Sequence, residues 1–254
     1  GPAEAALLAE ALPQRLMLMG NEELPESTAY VRGPLKLLLD DHALPDIADL
    51  AARIAGARTA GRAVAAHCVT VAELVTFLAA LDDAGGACPG DRIEHGSVIP
   101  TGLIPRIAAA GLVVVTQPGF VRDRGDRYLA EVEPHDLPDL YRVRSLLAAG
   151  VRVAAGSDAP YGGIDACEAI ATATTRCTRR GVQLLADEAI DPIAAVTLYQ
   201  GGFDNPGCAT ALRVGGPADL VLLTRPLAAI CRDAGSDAVA LAMIDGNILH
   251  DATR

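Results

Sequence analysis

The sequence contains no tryptophan, and aromatic residues make up only 3% of its 254 positions. A pocket built to stack flat aromatic substrates is therefore disfavoured. No block of Lys or Arg interrupts the chain, and 32 acidic residues outnumber 21 basic ones, for a formal net charge of −11. That balance argues against a nucleic-acid partner or an anionic membrane surface and suits solubility instead. No apolar run approaches the roughly 18 residues of a membrane span, so no membrane partner is expected. The six cysteines, at 68, 88, 167, 177, 208 and 231, include no C-x-x-C pair, and the chain is too long for a small disulfide scaffold. Most lie in Ala- and Val-rich surroundings, where a free thiol acts as a small apolar group. A reducing, cytoplasmic location is the expectation. Gly1-Pro2 has the look of a protease scar, and a targeting segment removed upstream of it is compatible with the sequence.

What is present is a regular alternation. Hydrophobic residues make up 51% of the chain, enough at this length for a sizeable core. Short apolar runs at Leu16–Met19, Leu35–Leu39, Ala63–Cys68, Arg92–His95, Leu112–Gln117 and Val151–Ala155 read as strands buried on both faces. Helical patterns lie between and after them, at Leu44–Ala60, Val71–Ala84, Leu103–Ala109, Leu137–Ala149, Cys167–Arg180 and Asp191–Leu198. Asp46 and Gly61 bracket the first of these as start and stop signals. The order predicts an α/β fold with a parallel sheet, made of βα units. A helix-like stretch, Ala3–Leu12, precedes the first strand. From about Gly215 the texture changes to short strands, with a type I′ turn expected at or near Gly246-Asn247. The expected organisation is a barrel-type domain over residues 1–214 and flanking β-structure over 215–254.

Six barrel-type strands are visible where a closed (β/α)₈ barrel needs eight. In such folds chemistry gathers at the C-terminal ends of the strands. There the sequence places Lys36, His67, His95 and, just past the last strand, Asp158. Imidazoles with a carboxylate suit Zn²⁺ and similar cations. A carboxylate at that rim can also take a proton from water activated by the cation. Each residue has a plainer explanation as well. A histidine at a strand end is ordinarily structural, Asp158 can cap a following helix, and Lys36 can lay its stem along apolar surface. Glu94, one residue before His95, is expected on the opposite strand face and structural. His42, His135 and His250 read as solvated polar residues.

Five segments then carry a family resemblance: Ala66-His67, Arg92-Ile93-Glu94-His95-Gly96, Val115-Thr116-Gln117-Pro118, Ala155-Gly156-Ser157-Asp158-Ala159-Pro160 and Pro217-Ala218-Asp219-Leu220-Val221-Leu222. Together, from about residue 13 to the end, the chain resembles the YtcJ-like branch of the amidohydrolase superfamily, which includes N-substituted formamide deformylases. The resemblance implies a TIM-type barrel of the metal-dependent hydrolase kind, incomplete because the first two βα units have no counterpart. It also implies that the tail is the C-terminal piece of a small β-sandwich. It makes His67 and His95 ligands of a divalent metal such as zinc, and Asp158 both a ligand and the general base. Lys36 corresponds to a lysine that can be carboxylated and bridge two metals. Gln117-Pro118 and Tyr161 fall where substrate-facing loops would be, and Arg176 matches a helix arginine; none of these is given a catalytic role.

The implied activity is hydrolysis of an amide-like C–N bond in a small-molecule substrate by metal-activated water. Family members carry a His-x-His pair on the first strand, and this sequence has none. A deletion upstream, strands supplied by a partner, or a degenerate relative that binds without catalysing each account for that difference. A sheet with two open edges is also expected either to self-associate as a homo-oligomer or to fold poorly.

Overall fold

The computed structural model describes residues 7–8, 11–202, 204–232 and 237–253. The apolar runs become one six-stranded sheet: β1 (Met17–Gly20), β2 (Val31–Leu37), β3 (Val64–Cys68), β4 (Arg92–His95), β5 (Val113–Thr116) and β6 (Arg152–Ala155), in that spatial order. β1 to β5 pair in parallel. Val64, Ala65, Ala66, Ile93 and Val114 have no exposed surface, which is why these strands lack a polar alternation. β2 starts at Val31, earlier than expected, and ends at Leu37, leaving Leu38 exposed. The expected Ala3–Leu12 stretch falls partly outside the described residues.

The chain divides into two compact units. The first comprises residues 1–116, 133–154 and 202–208. In it, α1 (Ile47–Thr59) follows β2, and Asp46 caps it by accepting from the Ala48 N–H. Leu50, Ala51, Ile54 and Ala57 form its buried stripe. α2 (Val71–Asp83) opens with a capping box between Thr70 and Glu73, a feature that stabilises a helix by about 1 kcal/mol. α3 (Ile104–Ala109) follows β4. A buried latch secures the start of β3. Asp91 Oδ1 accepts from the Val64 N–H at 2.9 Å, while its Oδ2 takes the Cys88 N–H at 2.7 Å and Arg58 Nη2 at 3.1 Å.

The second unit comprises residues 117–132, 155–201 and 209–254. It begins with α4 (Gly119–Glu131), a helix the sequence reading did not anticipate. The expected helix Leu137–Ala149, in the first unit, shrinks to α5 (Val143–Ala148) after a 3₁₀ turn at Leu137–Asp139. The left-handed backbone of Tyr141 (φ 48°) lies between the two. In the second unit α6 (Ala166–Thr175) is capped by Asp165 and stops where Arg176 turns left-handed (φ 57°), five residues short of the expected end at Arg180. Arg176 is 1% exposed and donates Nε to the Leu184 carbonyl, so it is a buried structural group. α7 (Pro192–Thr197) is capped by Asp191, and the four-residue α8 (Leu227–Ile230) follows later in the same unit.

The tail forms an antiparallel sheet of β7 (Leu220–Leu223), β8 (Val239–Ile244) and β9 (Asn247–Asp251). Ile244 pairs with Asn247, so the hairpin turn is Asp245-Gly246, one residue before the expected pair. Both take positive φ (48° and 80°), as a type I′ turn requires. Among the described residues no helix is long and apolar enough to cross a membrane.

Candidate active site

In the first unit the strand register sorts the candidate residues by face. Lys36 pairs with Ala65, Ala65 with Arg92, and His67 with Glu94. Paired residues of parallel strands share a face, and alternate residues return to it. Lys36, His67, Arg92 and Glu94 therefore lie along one face of three adjacent strands. Lys36 is the only lysine in a chain with twenty arginines.

His95 pairs with Cys68, so strict alternation would put it on the other face. Its backbone is left-handed (φ 69°), as is that of Gly96 (φ 54°). A non-glycine residue held there costs on the order of 1–3 kcal/mol. This is where the strand ends, and the imidazole of His95 meets that of His67 edge to face, with ring centres 4.5 Å apart and planes at 69°. Gly96 also leaves little room for a side chain. An added Cβ would stand 2.9 Å from Ile99 Cδ1 and 3.1 Å from Val114 Cγ1.

Glu94 accepts Arg92 Nε at 2.6 Å, with both side chains largely buried. It is tied into a structural pair, as expected, but on the face of His67. Counting alternation from His95 could not reveal that, because His95 is the residue that leaves the strand's regular backbone. Burial first, and then Glu73, push the Cys68 thiol well above its ordinary value.

Asp158 belongs to the second unit. Its backbone is left-handed (φ 54°), and its carbonyl accepts from the N–H groups of Tyr161 (2.8 Å) and Gly162 (3.3 Å). No helix begins here, and α6 has its own cap in Asp165, so Asp158 does not serve as a helix cap. α4 clamps the loop. The Gly163 N–H donates to Asp123 Oδ2 at 3.0 Å, and Arg124 Nη2 donates to the Tyr161 carbonyl at 2.7 Å. Gly162 packs so tightly that a Cβ would overlap the Ser157 carbonyl oxygen and stand 2.7 Å from Phe120 Cε1. Of the loop residues marked by the sequence, Gln117 is buried at the foot of α4 and Tyr161 is 71% exposed. His42, His135 and His250 are all exposed.

The structure thus brings His67 and His95 into contact, aligns Lys36 on the face of His67, and fixes Asp158 at the start of a clamped turn. Among the described residues no three His, Cys, Asp or Glu side chains gather closely enough to hold a metal ion.

Comparison with known proteins gives this geometry a context. Residues 9–250 match the sequence profile of the Amidohydrolase family. An N-substituted formamide deformylase from Arthrobacter pascens is 33% identical over 142 residues, which are 53% of this chain and 26% of that protein. Three solved structures share the fold. An uncharacterized metal-dependent hydrolase from Pyrococcus horikoshii has a TM-score of 0.59 at 20% identity, covering 78% of this chain and 43% of its own. A zinc-bound adenosine deaminase from Xanthomonas campestris has 0.59 at 17%, covering 98% and 56%. A mutant atrazine chlorohydrolase from Arthrobacter aurescens, complexed with zinc and atraton, has 0.60 at 17%, covering 91% and 53%. The chain spans about half the length of these structures and about a quarter of the formamide deformylase. With nearly its whole length matched, the chain belongs to the amidohydrolase family.

Proposed function

We propose that the chain is the greater part of a metal-dependent amidohydrolase barrel that hydrolyses an amide-like C–N bond, an N-substituted formamide being the first substrate to try. The observation that carries this proposal is the His67–His95 contact, made where His95 holds a left-handed backbone that costs energy. Strain held at a polar residue points to function.

The donor set fits a divalent cation of the zinc type, since two adjacent imidazoles are preferred ligands for it. His67 and His95 would hold the ion, with Lys36 and Asp158 as further ligands on the family match. A cation there supplies Lewis acidity, lowering the pKa of water and polarising a carbonyl. Asp158 takes a proton from the water that adds to the carbonyl carbon. It then gives that proton to the nitrogen as the C–N bond breaks, releasing an acid and an amine. The six free cysteines suit a reducing cytoplasm. The β7–β9 sheet fits the C-terminal piece of a flanking β-sandwich.

A second proposal, a non-catalytic relative, draws on the lack of any three clustered metal-binding side chains among the described residues. Elemental analysis of the purified chain separates the two. Stoichiometric zinc or a similar ion, lost in both His67→Ala and His95→Ala, is the expected result. Well-folded protein without metal overturns the hydrolase proposal for this chain.

A further inference from the structure

In the second unit, the loop that follows Asp158 shares a pocket of about 460 Å³ with α4 and the segment after α6. Its wall holds three guanidinium groups, those of Arg124, Arg127 and Arg179, against one carboxylate, that of Asp123. With Arg127 paired to Glu131 and Arg179 to Asp123, the excess of positive charge, in a chain of net charge −11, is the one that Arg124 carries. The single carboxylate is committed to building the wall. Its Oδ1 takes Arg179 Nη2 at 2.6 Å, and its Oδ2 takes the Gly163 N–H at 3.0 Å.

Arg124 is held in place on several sides. Its Cζ lies 4.9 Å from the centre of the Phe120 ring and 5.3 Å from that of Tyr161. Its Nη2 donates to the Tyr161 carbonyl, while its Nε is buried without a hydrogen-bond partner. Arg127 is exposed and pairs with Glu131 one turn along the helix. Guanidinium groups present planar donor forks that match a carboxylate, and one already fixed by stacking loses little freedom on binding. The exposed ring of Tyr161 and the ring of Pro160 add apolar surface to the same pocket.

We propose that this pocket is a carboxylate-binding subsite, and that the substrate is an amide bearing an acid group, as in an N-acyl amino acid. The substrate half of the proposal rests on the hydrolase function argued above. The pocket half does not. The pocket lies against the loop of the assigned base, so an acid anchored there would orient the rest of the substrate.

Two measurements on the same proteins test it. Succinate is titrated calorimetrically into the chain and into the double variant Arg127→Gln/Arg179→Gln, with Asp158 and Arg124 left intact. Arg127→Gln alone serves as a check on folding, because that residue pairs within its own helix. Saturable binding by the chain, weaker by about tenfold or more in the double variant and partly weakened in the single one, is the expected result. N-formylleucine and N-formylleucinamide are then compared as substrates. The acid should be favoured by about tenfold or more in kcat/KM, and the double variant should lose that preference. Succinate binding that is absent, or equal in chain and variant, overturns the subsite, and equal kcat/KM for the acid and the amide overturns the substrate half. Arginine-dependent succinate binding with turnover of neither compound upholds the subsite and counts against the hydrolase function instead.

Discussion

His95 reaches His67 from the last residue of its strand. The register pairs it with Cys68, on the other face, yet a left-handed turn at φ 69° brings the two imidazoles to a 4.5 Å edge-to-face contact. Backbone and ligand roles can be separated here, because asparagine tolerates this conformation better than alanine. With metal stripped from all samples before unfolding, His95→Asn should keep its thermal stability within about 0.5 kcal/mol of the parent. His95→Ala should lose on the order of 1 kcal/mol or more from the disfavoured conformation. Both should lose bound metal. Metal content before stripping and thermal unfolding after it check this, and retention of metal by His95→Asn would remove His95 from the ligand set.

The turn that holds Asp158 depends on Gly162. With a Cβ there, the Ser157 carbonyl or Phe120 must move, and Asp158 moves with them, since its carbonyl accepts from the Tyr161 and Gly162 N–H groups. Misplacing a catalytic group by about 1 Å can cost on the order of 100-fold in rate. Gly162→Ala is expected to lower kcat by roughly that factor while His67 and His95 retain their metal. Parallel assays of turnover and bound zinc would show it, and unchanged kcat would mean that the turn does not position Asp158.

Asp158→Asn keeps the shape of the side chain and removes its ability to take a proton. The fold should be unchanged, because asparagine keeps the side chain's shape and the turn is held by the Asp158 carbonyl and by Asp123 and Arg124. General-base catalysis contributes about 10²–10⁴-fold, and turnover should fall by that much. Circular dichroism together with turnover decides the matter, and full activity in a folded variant removes Asp158 from the mechanism.

Much of this was legible in the sequence, for definite reasons. Strands such as Val64–Cys68 are buried on both faces, so unbroken apolar runs mark them. His67 and His95 each fall at the end of such a run, which is what marks them in the sequence. Other features were not legible because local chemistry misdirected the reading. α4 opens at Pro118-Gly119 and is crowded with Arg and Asp, so it reads as a loop. It buries only Phe120, Val121 and Gly125, too few to show a helical stripe. Yet it carries Asp123 and Arg124, which clamp the loop of Asp158. The position of Glu94 beside His67 was hidden in the same way, because φ at His95 breaks the alternation used to infer it.

Tyr199 offers a test that is independent of catalysis. Its hydroxyl oxygen is buried in the second unit without a hydrogen-bond partner, and burial holds the phenol well above its ordinary value. An unpaired buried hydroxyl costs about 1–3 kcal/mol relative to a paired or absent one. Tyr199→Phe should therefore be more stable at neutral pH by about 1 kcal/mol, or about 2–4 °C in Tm for a chain of this size. The pH dependence has a definite sign. The unfolded phenol ionises near pH 10, at about its free value, while the folded one stays protonated at that pH. Above about pH 10 the unfolded state binds fewer protons than the folded one, so stability falls as pH rises. Tyr199→Phe removes that loss, and the gap between variant and parent should widen from pH 8 to pH 10.5. Thermal unfolding across that range would show the divergence. Parallel curves would mean that water reaches the Tyr199 hydroxyl in solution.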